Sequence, residues 1–409
     1  MSTDRLTVVG GGIAGLVVAR RLAMAGRTVT LLEASDHLGG TVARHTVGGI
    51  DLDSGAESFA NRGGTVAALA AQLGLGDEVV APSADGAWLQ PTSGPAVPLP
   101  ATSLLGIPGV PLAADVIAVV GGGSALRAQL DAIIPSFRIP AGRTLGSLVR
   151  RRMGRGVLEK LVAPVVRGVH SVHPDEILLD RAAPGLRASL ALHGSLAAAV
   201  RAMRASSPAG SAVSGIRGGI HRLVTELTAD LVTYGVDVQL GRRVTSTSGL
   251  PGTVVLATPL DEPAGRRIVL GTLVVRAPGL DAAPRGTGML VAEGSTLVQA
   301  RALTHSTAKW EWLRERANGK HVLRLSYDVE PDNFAETARL DAQALLGVDL
   351  PASSVVDFAR VEWLRPVGGG PEPGIVVGES VAGSGLAGIV AQADRVADGL
   401  LDEGTEPRP

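Results

Sequence analysis

The sequence predicts an α/β fold in which a dinucleotide-binding domain is opened at one end of the chain and completed at the other. Three observations carry that expectation. A short apolar strand, Leu6-Thr7-Val8-Val9, runs into glycines in G-x-G-x-x-G spacing. A second apolar strand, Thr28-Val29-Thr30-Leu31-Leu32, ends on the acidic Glu33. Far downstream, Gly374-Ile375-Val376-Val377-Gly378-Glu379 reads as a further strand entering a turn, with a helix to Leu401 behind it.

The glycines of the first turn, Gly10, Gly12 and Gly15, serve three physical ends in order. The first permits a tight turn, the second lets a pyrophosphate approach the backbone, and the third lets helix and strand pack closely. Gly11, Ile13 and Ala14 complete the turn, and the apolar spacing from Ile13 to Leu22 predicts the helix whose N-terminus would face the phosphates. Glu33 follows Gly10 at close to the spacing expected of the acid that binds the adenosine ribose, with Ala34 next to it. A glycine pair then appears in His37-Leu38-Gly39-Gly40-Thr41, followed by Asp51-Leu52-Asp53-Ser54-Gly55-Ala56-Glu57-Ser58.

The middle of the chain holds Gly218-Gly219-Ile220-His221-Arg222-Leu223 at a helix start. The strand candidate Val236-Asp237-Val238-Gln239-Leu240, then Arg243-Val244 and Val254-Val255-Leu256-Ala257-Thr258-Pro259 follow it. In this order the segments resemble the flavin amine oxidase superfamily. The resemblance implies FAD as cofactor, with Gly40, Thr41, Gly55, Ala56, Glu57 and Ser58 beside it and the backbone of Val244 against adenine. It also implies that the C-terminal turn, with Gly378, Glu379, Ser384, Gly385 and Leu386, lies across the flavin. Amides at that helix start would meet the ring edge on which negative charge develops. Thr41 stands where the family often has arginine, which points away from the amine-oxidase type.

A further series runs through the intervening residues. It comprises Leu104-Leu105-Gly106-Ile107-Pro108, Leu145-Gly146-Ser147-Leu148, Val162-Ala163-Pro164, Gly168-Val169-His170, His193-Gly194-Ser195-Leu196, Gly286-Thr287-Gly288-Met289 and Lys309-Trp310. This series resembles the protoporphyrinogen/coproporphyrinogen oxidase branch, with gaps, from Leu6 to Leu401. The resemblance implies oxidation of a porphyrinogen to the porphyrin in haem biosynthesis, by hydride transfer to flavin, with dioxygen as acceptor and no metal. It places a basic residue facing a substrate propionate near Arg62. No catalytic triad is visible, and no catalytic side chain is singled out, because the chemistry belongs mainly to the cofactor. The chain is trimmed against this branch between Val244 and Val254, between Pro259 and Leu273, and before Gly374. Two alternatives therefore stay open: another flavoenzyme of amine oxidase or desaturase type, and a catalytically silent protein that binds FAD or porphyrin.

Composition sets the remaining bounds. The 409 residues exceed what one core supports, and with 45% hydrophobic and 19% charged residues they form a globular chain. A formal net charge of −1 gives no reason to expect nucleic acid. No cysteine is present, which excludes disulfides and thiolate metal sites and fits a cytoplasmic location, and no signal peptide is visible. His170 and His173 are not expected to hold metal. The stretch from Gly86 to Ala114 is uncharged but carries six prolines, so it cannot be a spanning helix; peripheral membrane contact is left open. Arg150, Arg151, Arg152 and Arg155 read as a solvated helix face, or as a contact for anionic lipid or a haem-pathway enzyme. The expected organisation is a discontinuous, Rossmann-like FAD-binding domain of residues 1–80, 205–262 and 364–409. It surrounds a helical insertion, 81–204, and a substrate-domain sheet, 263–363, built around Leu273-Val274-Val275, Leu297-Val298-Gln299 and Val322-Leu323-Arg324-Leu325.

Overall fold

The computed structural model describes residues 5–61, 63–135, 140, 142–205, 213–260, 265–366, 374–383 and 385–402. The chain divides into two compact units. One comprises Met1–Pro82, Ala212–Ile268 and Val361–Pro409; the other comprises Ser83–Ser211 and Val269–Arg360.

The first unit is built on a five-stranded parallel sheet. Its order is Asp237–Gln239, β2 (Thr28–Leu32), β1 (Arg5–Val9), Thr253–Leu256 and Ile375–Val376. β1 and β2 are buried on both faces after their first residue, as an all-parallel sheet requires. Helix α1 (Ile13–Met24) packs against the helices His221–Thr233 and Leu386–Asp402. Leu16, Val17, Leu22, Leu227 and Val390 share one core with the strands. The chain leaves β1 for β2 on one side, whereas Thr253–Leu256 lies on the other. That change of direction creates the crevice at the carboxyl ends of the strands where α/β sheets bind ligands. The hairpin of β3 (Arg44–Val47) and β4 (Ile50–Asp53) then leads back to this end of the sheet.

The C-terminal strand is short. Only Ile375–Val376 pair, and a short helix, Glu379–Ala382, follows. Gly374 (φ 113°) and Gly378 (φ 104°) bracket the strand in conformations that end an extended run.

The second unit has a seven-stranded sheet. Its order is Val355–Pro366, Gly265–Val275, His321–Tyr327, Ala302–His305, Gly288–Val291, Trp88–Gln90 and Val97–Pro98. One core gathers Leu273, Leu303, Leu323, Leu325 and Tyr327 from the strands with Ala338, Leu345 and Leu346 of helix Phe334–Leu346. A separate core joins the helices between Ala114 and Ala205.

Three readings of the sequence change here. The strand expected at Leu297–Gln299 is a loop, and Ala302–His305 takes the ladder position between its neighbours. The amides of Gln299 and Ala300 donate instead to the Asp341 carboxylate (3.2 and 2.8 Å), which draws this backbone out of the sheet. The region 81–204 is helical only from Ala114 on. Its proline-rich start forms two- and three-residue strands, two of which extend the sheet. Arg152, expected on a solvated face, is buried; it pairs with buried Asp131 and donates to the carbonyls of Asp131, Ile134 and Gly194.

Candidate functional site

The glycine turn joins β1 to α1. The Gly10 amide donates to the Leu32 carbonyl (2.8 Å), which ties the turn to β2. A Cβ at Gly15 would stand 1.9 Å from the Gly10 carbonyl oxygen, so only glycine lets the first helical turn approach the strand end this closely. Gly12 differs. Its backbone (φ −72°, ψ 176°) suits any residue, and a Cβ there would meet nothing within 4 Å. The open space at Gly12, rather than packing within the chain, gives glycine its use at this position. α1 has no side-chain N-cap and no acidic residue in its first turn, so its leading amides face that space uncapped.

Glu33 closes one side of the turn. Its carboxylate accepts from the Gly11 amide (2.6 Å), the Ser35 amide (2.7 Å) and the Ser35 hydroxyl (2.8 Å). Burial pushes its carboxyl upward, but the hydrogen bonds from Ser35 and Gly11 outweigh burial and hold it below the usual carboxylate range. It is therefore anionic at neutral pH. Ala34 is exposed beside it. Val244 is not on a strand: the neighbouring strand ends at Gln239, and Val244 is half-buried in the loop that follows. That loop is tied to the acid all the same, since the Arg242 amide donates to the Glu33 carbonyl (2.7 Å) and the Gly241 amide to Ser35 (2.8 Å).

Two segments far apart in the pattern converge on the same turn. The Gly39 amide donates to the Gly11 carbonyl (2.8 Å), and a Cβ at Gly40 would lie 3.4 Å from the Gly12 Cα. A Cβ at Gly55 would lie 2.0 Å from the Thr41 carbonyl oxygen, so the glycine pair and the Gly55–Ser58 segment are pressed together. Of that segment, Gly55 is buried, Ala56 exposed, and Glu57 and Ser58 half-buried. Asp53, at the end of β4, anchors the segment. Its carboxylate accepts the amides of Ile220 and His221 (both 2.9 Å) and the His221 ring Nδ1–H (2.8 Å).

The C-terminal turn reaches the same place. The Val377 amide donates to Leu256, and a Cβ at Gly378 would lie 3.5 Å from Ala14 Cβ. Gln392, buried in the final helix, pins this turn by accepting the Gly378 amide (3.0 Å) and donating to the Val376 carbonyl (2.9 Å). Glu379 opens the short helix that follows, Gly385 is exposed, and Leu386 begins the final helix. Arg62 and Ser384 lie outside the described residues.

Sequence reasoning missed Asp53, His221 and Gln392 as supports of the cradle. Asp53 and His221 fall inside motifs already singled out; Gln392 gave no signal, being one polar residue among several on its helix. The residues present thus fit a dinucleotide diphosphate: open space at an uncapped helix start, an ionised ribose acceptor, and a second turn laid on the first. Among the described residues no cluster of metal-ligating side chains is present.

Within the second unit, a polar row crosses three strands, with Thr272 and Thr304 both paired to Arg324, which is buried. Outside this row, Arg301 donates to Ser171 and Ser326 and pairs with Asp328. Neither arginine stood out in the sequence, where arginine is abundant.

Comparison with known proteins adds to this geometry. Residues 13–274 match the family described as flavin-containing amine oxidoreductase. A coproporphyrinogen III oxidase of Mycobacterium tuberculosis is 31% identical over a 436-position alignment that covers 98% of this chain and 94% of the relative. One of Mycobacterium leprae is 28% identical, covering 98% and 99%. Among solved structures, an Exiguobacterium sp. 255-15 protein assigned as protoporphyrinogen oxidase superposes with a TM-score of 0.82 at 23% identity, over 98% of this chain and 100% of that one. At that identity the likeness is one of fold.

Proposed function

Since this chain belongs to the flavin-containing amine oxidoreductase family, in its porphyrinogen oxidase branch, we propose that it oxidises coproporphyrinogen III to coproporphyrin III with dioxygen as acceptor. The cofactor is FAD. The observation that carries the reading is the convergence of the N-terminal glycine turn, the Gly39–Thr41 and Gly55–Ser58 segments and the Gly378 turn on one crevice. The curated relatives that span the whole chain favour coproporphyrinogen over protoporphyrinogen.

When bound, FAD supplies the hydride acceptor and, on reoxidation, the electrons that turn dioxygen into hydrogen peroxide. The rest is positioning. The amides at the start of α1 and the space at Gly12 would receive the diphosphate, and Glu33 the ribose. Asp53 and His221 hold the Gly55–Ser58 segment against the glycine pair, and Gln392 holds the Gly378 turn, so the cradle needs little reorganisation on binding. Arg62 is the guanidinium candidate for a substrate propionate, because arginine pairs carboxylates bidentately.

The test is porphyrin fluorescence from FAD-loaded protein in air, with coproporphyrinogen III and protoporphyrinogen IX compared side by side and peroxide followed in parallel. The expected result is faster formation of coproporphyrin with peroxide in step. No rate above autoxidation overturns the activity, faster turnover of protoporphyrinogen overturns the substrate, and turnover without peroxide overturns the acceptor.

A further inference from the structure

The parallel sheet of the first unit ends on an edge strand. Ile375–Val376 pairs on one side only, with Thr253–Leu256, and that ladder continues through the Val377 amide to the Leu256 carbonyl (2.8 Å). Successive residues of a strand direct their backbone groups to alternate sides. The Val376 carbonyl and the Gly378 amide therefore face away from the sheet, where no sixth strand lies among the described residues. Buried backbone groups in that position need a partner from elsewhere.

Gln392 supplies it. Its side-chain carbonyl accepts the Gly378 amide (3.0 Å) and its NH2 donates to the Val376 carbonyl (2.9 Å). A backbone amide only donates and a carbonyl only accepts, so the carboxamide has a single orientation. It presents the donor and the acceptor that a further strand would present. Of the four buried residues of the final helix, Val390, Gln392, Ala393 and Ala397, it alone is polar. Gln392 stands in the second turn of the helix that starts at Leu386, whereas Gly378 ends the strand that leads there. One side chain thus ties together both stems of the turn 378–386. The Thr65 hydroxyl adds a tie to the Ala387 carbonyl (3.0 Å) at the start of the same helix.

We propose that Gln392 is a positioning residue for flavin reduction. By standing in for a sixth strand it fixes how the turn 378–386 meets the flavin ring, and so favours the reduced cofactor over the oxidised one. The inference rests on the reading that this turn lies on the flavin. Backbone amides at the ring edge matter most once negative charge has developed there. A turn released by loss of Gln392 therefore weakens the hold on reduced flavin more than on oxidised flavin. The contacts assigned to the diphosphate and the ribose lie at Gly12 and Glu33, which Gln392 does not touch.

The test is the midpoint potential of the bound flavin in full-length, FAD-loaded protein, measured by equilibration with a reference dye. Gln392→Leu removes both bonds at nearly constant size. It should lower the preference for reduced over oxidised FAD at least tenfold, about 30 mV for a two-electron couple. The affinity for oxidised FAD should change by a smaller factor. Gln392→Glu is the conservative rescue. A protonated carboxyl donates and accepts as the carboxamide does, but a carboxylate only accepts and sets a charge beside the Val376 carbonyl. Burial raises that carboxyl above the value of about 4.3 of a solvated glutamate. The potential of this variant should match wild type at acid pH and move to that of Gln392→Leu as pH rises. A side chain that only packs the helix would change the melting temperature of these variants and leave the potential at the wild-type value, which overturns the proposal. Failure of Gln392→Leu to retain oxidised FAD overturns it in favour of a role in holding the cofactor. Gly378→Ala disturbs the turn directly, because φ is 104° there. If it shifts the potential or loses flavin while Gln392→Leu does neither, the turn meets the flavin and the role of Gln392 is wrong. If neither variant has any effect, the reading of the turn falls as well.

Discussion

The cofactor cradle and the interior of the second unit reach order by opposite means. In the cradle the contacts are made by backbone: Gly10, Gly15, Gly39 and Gly55 bring main-chain atoms closer than any side chain would permit. In the second unit the ordering contacts are polar and charged side chains taken out of water, such as Arg152 on Asp131, His305 on His321, and Tyr327 on Asp341. The first kind of site fails when atoms are added. The second fails when they are removed, because a buried partner is left without its counterpart.

The sharpest way to break the cradle is therefore the smallest possible addition. Gly15→Ala puts a methyl carbon 1.9 Å from the Gly10 carbonyl oxygen, a backbone atom that can move only if β1 and α1 separate. The expected outcome is protein that no longer retains FAD through gel filtration, read as loss of the flavin absorbance. Retention at wild-type stoichiometry would show that the turn relaxes without harm.

The matching break in the second unit is a removal. Arg152→Ala leaves the Asp131 carboxylate, 1% exposed, with only the Ala197 amide (2.9 Å) among its described partners. The expected loss is about 3–5 kcal/mol in the free energy of unfolding, followed by urea denaturation. A loss below about 1 kcal/mol would mean that water reaches Asp131 and that the pair is worth no more than a surface contact.

The same contrast explains how far the sequence could be read. Backbone sites leave a trace in the sequence, since a close approach permits only glycine; Gly10 and Gly15 were legible for that reason, Gly12 through its spacing between them, and Gly55 through the family resemblance that its segment carries. The first two parallel strands were legible as short apolar runs, one ended by glycine and the other by Glu33. The supporting pairs were not. Asp53 meets His221 across 168 residues and Gly378 meets Gln392 across a turn and half a helix, and nothing local distinguishes these from solvated polar residues. Arg152 was read as exposed because it stands among arginines that are, and its partner lies 21 residues upstream. The loop at Leu297–Gln299 has strand-like residues, and its backbone is held elsewhere by Asp341, a long-range competitor that alternation cannot reveal.

A gentler comparison uses protons instead of atoms. His321 Nε2–H donates to Asp281 (3.1 Å), so its Nδ1 must accept, and His305 Nε2–H is the donor to it (3.2 Å). That leaves the Nδ1 of His305, 1% exposed, as a buried lone pair without a partner among the described residues. Burial, reinforced by His321, depresses its pKa to about 4. The unfolded chain takes up this proton near pH 6.5 and the folded chain only near 4, so stability is full above 6.5 and is lost as pH falls between the two values. The loss reaches about 3 kcal/mol. His305→Leu is expected to flatten this part of the pH–stability profile relative to wild type; identical profiles would mean that His305 protonates freely in the folded state.

The finest discrimination lies at Gly12, where chain and cofactor make different demands. The backbone there is extended and a methyl group would touch nothing, so Gly12→Ala should leave the melting temperature of the flavin-free protein unchanged or slightly raised, because alanine restricts the unfolded chain. The same methyl would occupy the space into which a diphosphate must come against the main chain. FAD affinity, measured by quenching of flavin fluorescence, is expected to fall at least tenfold, about 1.4 kcal/mol. The two readings separate what Gly15→Ala cannot, because that variant damages packing and binding at once. If Gly12→Ala holds flavin as tightly as wild type, the open space at the start of α1 is not where the diphosphate lies, and the roles assigned to its uncapped amides fall with it.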